Sequence, residues 1–347
     1  DTEMITMERE AQLVEAIAQL PRVRLSSVRP TPLEPLPRLS VHLGGPPLYI
    51  KRDDLTGLAM GGNKTRMFEF ALADALQKGA DTIVAGSAVQ SNYCRQLSAA
   101  CAKLDLELHL VLRPVRPIDR IDQQGNNLLQ RLLGAHVTVI QEYDHAAQQE
   151  AIQAKIAEQK NLGKKVYWPR QTDTVDLDAI AYAESALEVV QQCHALDIEP
   201  SHFYLCALDT TQAGVGLGLS FLQSDMHVRG ICPMNDVPQR REEMAQIANS
   251  GAKRLGLDLE LCDGDFDNDD SYVGERYGIP SPAGLEALRT VARTEGILLD
   301  PVYTSKAMAA LFEHIRAGAL DANRPVVFLH TGGNPALFAY AADVLDA

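Results

Sequence analysis

The chain predicts an α/β fold of mostly parallel, twisted sheets with helices on both faces. Two observations carry this. Short apolar runs of strand length alternate with longer amphipathic segments from residue 48 to the C-terminus, which is the pattern of βαβ units. The strand-like runs are near-continuously apolar rather than alternating, as expected of strands buried on both faces. With 347 residues, the chain is long enough for two lobes with sizeable cores.

The elements follow in order. A helix is expected over 7–20, with Leu13, Ile17 and Leu20 on one face. Four prolines in 30–37 predict an extended strap that leads into a strand at 48–51. A helix opening at Asn63 runs to 78, followed by a strand at 82–85, a Gly-Ser-Ala turn, and a helix over 92–104. Strands at 107–112, 136–140 and 165–167 enclose helices at 121–133 and 145–159. After a loop at 169–178, a second series begins. Its helices are expected at 179–196, 212–222, 239–255, 282–295, 305–316 and from 335. Its strands are expected at 202–208, 226–231 and 325–329. The five aspartates of 263–270 lack the spacing and closing glutamate of a calcium loop and read as a solvated loop.

Composition narrows the function. A formal net charge of −14 argues against a nucleic-acid-binding face, which needs a basic patch. It leaves room for an anionic ligand on local positive potential. No apolar run reaches the ~20 residues of a membrane span. Six cysteines form no C-x-x-C pair and match no zinc spacing, so no metal is expected. Free thiols point to a reducing compartment, and the expected location is cytoplasmic. The sequence opens on Asp1 rather than Met, as a trimmed or processed end would.

The stretch Lys51 to Arg66 carries the chemistry. A strand ends in charges, a glycine-punctuated turn follows, and Lys64 sits in the first turn of a helix. Gly61 and Gly62 let the backbone approach a ligand closely. A lysine at a helix N-terminus is in a field that lowers its pKa, and such an amine forms Schiff bases with carbonyl compounds. Ser91 and Asn92 open the next helix, where unpaired amides cap the helix or hold a carboxylate. Arg66, Arg95 and Arg113 read as exposed by default, and His330 fits a core or a site-lining role equally.

These residues resemble a known family. The segment Lys51 to Arg66, Val89-Gln90-Ser91-Asn92, Thr211-Gln212-Ala213-Gly214 and Tyr277-Gly278-Ile279-Pro280 appear in its order. So do Glu295 to Thr304 and His330 to Phe338. The chain resembles the fold type II (tryptophan-synthase-β type) pyridoxal-phosphate enzymes, and within them the D-cysteine desulfhydrase, 1-aminocyclopropane-1-carboxylate (ACC) deaminase and L-cysteate sulfo-lyase family. The resemblance implies a small lobe of 62–167, a large lobe of 1–61 plus 168–347, and pyridoxal 5'-phosphate in the cleft between them. It also implies a homodimer and a small amino-acid substrate.

Residue by residue, the resemblance implies that Lys64 holds the cofactor covalently and moves protons at Cα. Ser91, Tyr277 and Tyr303 would share catalysis, and Ser91, Asn92 and Tyr93 would bind substrate. The family usually has His or Gln where this chain has Tyr93. Asn63, Asn92, Thr210, Thr211, Thr304, Thr331 and Gly332 would contact the cofactor. Thr304 is expected to face the pyridine nitrogen, where ACC deaminases have glutamate, and Thr331 replaces their leucine. Both favour α,β-elimination of sulfide or sulfite from D-cysteine or L-cysteate, giving pyruvate and ammonia. Two positions depart from the family: Ala207-Leu208-Asp209-Thr210 replaces a glycine-rich phosphate loop, and Met67 replaces a phosphate-contacting lysine. They keep open a racemase-type enzyme or a non-catalytic ligand-binding protein.

Overall fold

Two separate parallel sheets organise the chain, which was analysed as a computed structural model describing residues 2–171 and 173–345. Asp1 lies outside the described residues. The elements are α1 (Thr2–Ala18), β1 (Leu33–Pro35), α2 (Pro37–Leu43), β2 (Leu48–Arg52), α3 (Lys64–Gln77), β3 (Thr82–Ala88), α4 (Asn92–Leu104) and β4 (Glu107–Arg113). Then come α5 (Gly125–Leu132), β5 (His136–Val139), α6 (His145–Asn161), β6 (Val166–Tyr167), α7 (Val175–Leu196), β7 (His202–Cys206), α8 (Thr210–Phe221) and β8 (His227–Ile231). The chain closes with α9 (Arg240–Arg254), β9 (Asp267–Asp269), α10 (Pro282–Glu295), α11 (Thr304–Arg316), β10 (Val326–His330), α12 (Ala336–Ala339) and α13 (Ala341–Leu345).

One sheet has the order β5-β4-β3-β6 and is parallel throughout. The other has the order β1-β2-β10-β7-β8-β9, parallel except for the antiparallel edge pair β1 and β2. In the first sheet the chain moves outward through β4 and β5, then returns to the far side of β3. The crevice at the carboxyl end of β3 is therefore a switch point, where open α/β sheets bind ligands. The carboxyl ends of β3, β6, β7 and β10 lead into Ser91, Arg170, Asp209 and Thr331 respectively.

A continuous core joins the two sheets. It runs from Phe68 and Leu97 through Leu110 to Tyr182, Phe203 and Leu329. The outer face of the larger sheet packs on α10 and α11 through Ile50, Leu288 and Phe312. The outer face of the smaller one packs on α6 through Val84, Val111, Ile152 and Ile156. Helices thus cover both faces of both sheets, as the strand pattern predicts.

Four local expectations are corrected. Residues 263–270 are not wholly a loop, because 267–269 add an edge strand. Its alternation explains it: Asn268 points inward to the Ala207 carbonyl and Gln212, while Asp267 and Asp269 pair with Arg229 outside. The strap contains a strand and a helix, with Pro37 in the first turn of α2, where its missing N–H costs nothing. Strand β3 continues through the expected Gly-Ser-Ala turn to Ala88. Helix α8 begins at Thr210, because the Asp209 carboxylate accepts from the Thr210 N–H at 2.5 Å.

Arg66 fastens the N-terminus of α3. Its guanidinium donates to both carboxylate oxygens of Asp53 and of Glu188, at 2.7–2.9 Å, and to Thr31 Oγ1 at 3.0 Å. Lys51 donates to the same Glu188 at 2.7 Å. Arg66 and Asp53 are both fully buried, so the exposed reading of Arg66 is overturned. Burial opposes charge on Glu188, but Arg66 and Lys51 hold its pKa down to about 2. Removing one partner of a buried pair strands the other charge, at about 3–5 kcal/mol. Arg66→Met is therefore expected to lower unfolding free energy by roughly that amount, read as a drop in the urea midpoint with an unchanged slope. A shift below about 1 kcal/mol would show that loss of Arg66 does not strand Asp53 and Glu188 as buried charges.

Candidate active site

The carboxyl ends of the two sheets enclose a cavity of about 1350 Å³. This exceeds the ~300–1,000 Å³ of a typical single-ligand pocket and leaves room for a cofactor together with a substrate. Of the residues singled out from sequence, Lys64, Asn63, Ser91, Asn92, Tyr93, Thr211, Tyr277, Tyr303 and Thr331 line it. Segments more than 200 residues apart in sequence thus meet here.

Lys64 is the first residue of α3, and the turn before it requires its glycines. A Cβ on Gly61 (φ +74°) would lie 1.8 Å from the Asp54 carbonyl oxygen, and one on Gly62 (φ +132°) 2.4 Å from Gln96. The Asn63 N–H donates to the Thr331 carbonyl at 3.0 Å, tying this turn to the end of β10. Burial pushes the Lys64 pKa down and the nearby Arg170 adds to that, while Asp209 pulls the other way. A more weakly basic amine is the form that attacks a carbonyl.

Opposite Lys64, Ser91 caps α4 by accepting from the Cys94 N–H at 3.1 Å. The first amides of α4 have no intrahelical carbonyl to bond and point out of the helix end. Asn92 is held by Arg95 at 3.2 Å and Asn126 at 2.9 Å, both donating to its Oδ1. Arg95 also donates to the Gly61 carbonyl, so one fully buried guanidinium joins both walls of the site. It is not the exposed arginine expected from sequence, and burial lowers its pKa to about 10. Tyr93 packs edge-on against Phe68, and its buried hydroxyl has no partner within the protein. Tyr277 and Tyr303 share a hydroxyl–hydroxyl hydrogen bond in the wall, and burial raises both pKa values. Both are therefore neutral phenols, and the one that accepts in this bond keeps its proton free to donate.

Three expected cofactor contacts do not line the cavity. Thr304 is fully buried, and its hydroxyl donates to Asp300 Oδ1 at 2.7 Å while accepting from the Asp300 N–H at 2.8 Å. Its only proton is thereby committed to Asp300. Gly332 lies one layer back, donating to His330 Nδ1 at 3.2 Å. His330 spends its other nitrogen on the Leu298 carbonyl, which decides for the core role. Thr210 is buried with its hydroxyl unpartnered. Cys94 is buried off the cavity, and burial pushes its thiol up to about 12, so it is unreactive.

Sequence reasoning missed Arg170, which lines the cavity in an ion pair with Asp209. The available signal was a charge placed just after β6, on the ligand-binding edge of the sheet. It also missed Asp178 on α7, whose two carboxylate oxygens are buried without hydrogen bonds. Burial raises Asp178 to about 7 against the pull of Arg170 and Lys64, and Asp209 and Asp176 raise it further. Its folded pKa exceeds the unfolded one, so the native state holds the extra proton between roughly pH 4 and 7. Stability should fall as pH rises through that window. Asp178→Asn should flatten the fall, seen in thermal midpoints from pH 4 to 8; parallel wild-type and variant profiles would refute it.

The residues fit pyridoxal phosphate at most points: a half-buried lysine, an unpartnered Tyr93 hydroxyl, two helix N-termini and two arginines. The Asp209 carboxylate, and Asp178 once ionised, oppose its phosphate. Residues 25–332 match the family described as Pyridoxal-phosphate dependent enzyme. The chain is 39% identical over 329 residues to the D-cysteine desulfhydrase of Salmonella typhi, covering 93% of this chain and 97% of that protein. The D-cysteine desulfhydrase of Salmonella newport is also 39% identical over 329 residues. A crystal structure described as an ACC deaminase homologue superposes with a TM-score of 0.85 at 32% identity, covering 96% of this chain and 98% of the other. Diaminopropionate ammonia lyase of Escherichia coli shares the fold, with a TM-score of 0.67 at 16% identity over 98% of this chain and 92% of that one. The chain belongs to the pyridoxal-phosphate dependent enzymes.

Proposed function

We propose that this enzyme eliminates a β-sulfur group from a small amino acid, with D-cysteine as the first substrate and L-cysteate as the second. One observation carries the reading: Lys64, the Ser91–Asn92 helix start and the Tyr277–Tyr303 pair line a single cavity. The 39% identity to D-cysteine desulfhydrases supports the choice of D-cysteine. Bound pyridoxal phosphate supplies the electron sink at the substrate nitrogen. The open amides of α4 and the Asn92 side chain hold the carboxylate. Lys64 Nζ, made less basic by burial, takes the Cα proton. The Tyr277–Tyr303 pair, neutral and hydrogen-bonded, offers a proton to the departing sulfur. The balance is cysteine plus water giving pyruvate, ammonia and hydrogen sulfide.

The finer architecture belongs to the same reading. Residues 62–167 form the small lobe and 1–61 with 168–347 the large one, a division supported by the two sheets. A homodimer is supported by apolar side chains exposed on neighbouring helices: Leu128 and Leu132 on α5, and Phe338 on α12. Ile118 and Ile121, just before α5, extend that exposed set. A cytoplasmic location is supported by six free cysteines. No helix among the described residues is long and apolar enough to cross a membrane.

Lys64→Ala should lose sulfide and pyruvate release from D-cysteine by at least about 10³-fold while keeping the wild-type circular dichroism spectrum. Retained turnover would overturn the mechanism. L-Cysteate assayed for sulfite alongside D-cysteine ranks the two substrates. Leu132→Glu should convert a dimer into monomer in sedimentation velocity. Unchanged mass at every concentration would remove that face from the interface.

A further inference from the structure

The phosphate end of the cavity is built differently from the rest. Among the described residues that line it, the lysine and arginine side chains are Lys64, Arg113 and Arg170. Arg113 is half-buried and donates to the Tyr143 carbonyl at 2.9 Å, while its Nε has no partner. Met67, where a second lysine was expected, is fully buried beneath the Tyr182 hydroxyl, which donates to its sulfur at 3.3 Å. Of the two arginines, Arg170 is the one paired with Asp209 at the start of α8, where an anion would bind.

Arg170 already holds one. The Asp209 carboxylate pairs with it and also caps the Thr210 N–H at 2.5 Å. Asp209 therefore takes the two interactions, a guanidinium and a helix N-terminus, that a phosphate would use. Polar capacity remains around it. The Thr210 hydroxyl is fully buried with no partner. Helix α8 is 12 residues long, so its N-terminus carries a full dipole. The set has the layout of a phosphate subsite with a carboxylate seated in it.

We propose that this is an exchange site, in which Arg170 is the cofactor's phosphate ligand and Asp209 is an internal anion that the phosphate must displace. It rests on the reading that the cavity takes pyridoxal phosphate. The exchange breaks the Arg170–Asp209 pair, forms an Arg170–phosphate pair, and frees the Thr210 N–H at the start of α8 for a phosphate oxygen. Asp209 subtracts from affinity, while Arg170 supplies the preference for a phosphorylated ligand. The expected result is a cofactor that exchanges more readily than a glycine-rich loop would allow.

The test uses full-length protein stripped of cofactor, in wild-type, Arg170→Met, Arg170→Lys and Asp209→Asn forms. Inorganic phosphate is titrated by calorimetry, and pyridoxal phosphate and pyridoxal are titrated by visible absorbance. Asp209→Asn should bind phosphate and pyridoxal phosphate about ten-fold tighter, and pyridoxal unchanged. Arg170→Met should lose phosphate binding and about ten-fold or more of the preference for pyridoxal phosphate over pyridoxal, with Arg170→Lys in between. Arg170→Lys, which keeps the charge, guards against a misfolded Met variant. Weaker phosphate binding by Asp209→Asn, unchanged binding by Arg170→Met and Arg170→Lys, or no phosphate binding by any form would overturn the proposal. Absorbance bands with both aldehydes but no change in preference sink it and leave the lyase reading intact. No band with either aldehyde sinks the lyase reading, and the calorimetry still decides this one.

Discussion

The Arg66 guanidinium is the constraint on which the site depends. It lies two residues beyond Lys64 on α3, which places the two side chains on nearly opposite faces of the helix. With Arg66 locked to Asp53 after β2, to Glu188 on α7 and to Thr31 of the strap, α3 can neither rotate nor slide. Lys64 is thereby aimed into the cavity from a rigid base. Such a buried network is a weak source of net stability, because desolvating four charges offsets most of their attraction. It is better understood as specifying one docking of α3 onto the larger sheet.

The same arrangement recurs one layer closer to the cavity. Arg95 on α4 bonds the Gly61 carbonyl, Asn92 and Asn126. It sets the distance between the Lys64 turn and the α4 N-terminus. Both walls of the site are thus fixed by arginines whose terminal nitrogens bond groups of the scaffold. This distinguishes Arg170, whose partner is a side chain on the cavity wall. Of the three arginines, only Arg170 can trade its partner for a ligand without dismantling the scaffold.

The periodic parts of the fold were legible from sequence. Apolar runs marked every strand of the smaller sheet, and Pro282 and Glu295 bound α10 as expected. What escaped were elements set by tertiary partners. Strand β9 is a row of aspartate, asparagine and aspartate that no propensity would call a strand, and it exists because Arg229 and Gln212 wait on either side. The site divided along the same line. Residues in recognisable turns, such as Lys64, Ser91 and Tyr277, came together in the cavity. Thr304 stands behind the cavity lining, its hydroxyl bonded to Asp300 four residues earlier, a local bond that a contact inferred by resemblance does not anticipate.

The loss of a glycine-rich loop, the methionine at 67 and the aspartate at 209 look from sequence like damage to an anion site. In three dimensions they form a consistent exchange of parts. Glycines bind phosphate through bare amides, which needs positive-φ backbone and leaves no room for side chains. Here α8 instead begins directly at Thr210, so its amides come from regular helix and its charge from Arg170 across the cleft. Arg170 keeps 31% of its side chain exposed, so its charge left unpaired there would be only partly penalised. Asp209 meets that cost when no phosphate is present. The two residues are therefore complementary: Asp209 neutralises Arg170 in the free protein, and Asp209 without Arg170 would repel the cofactor.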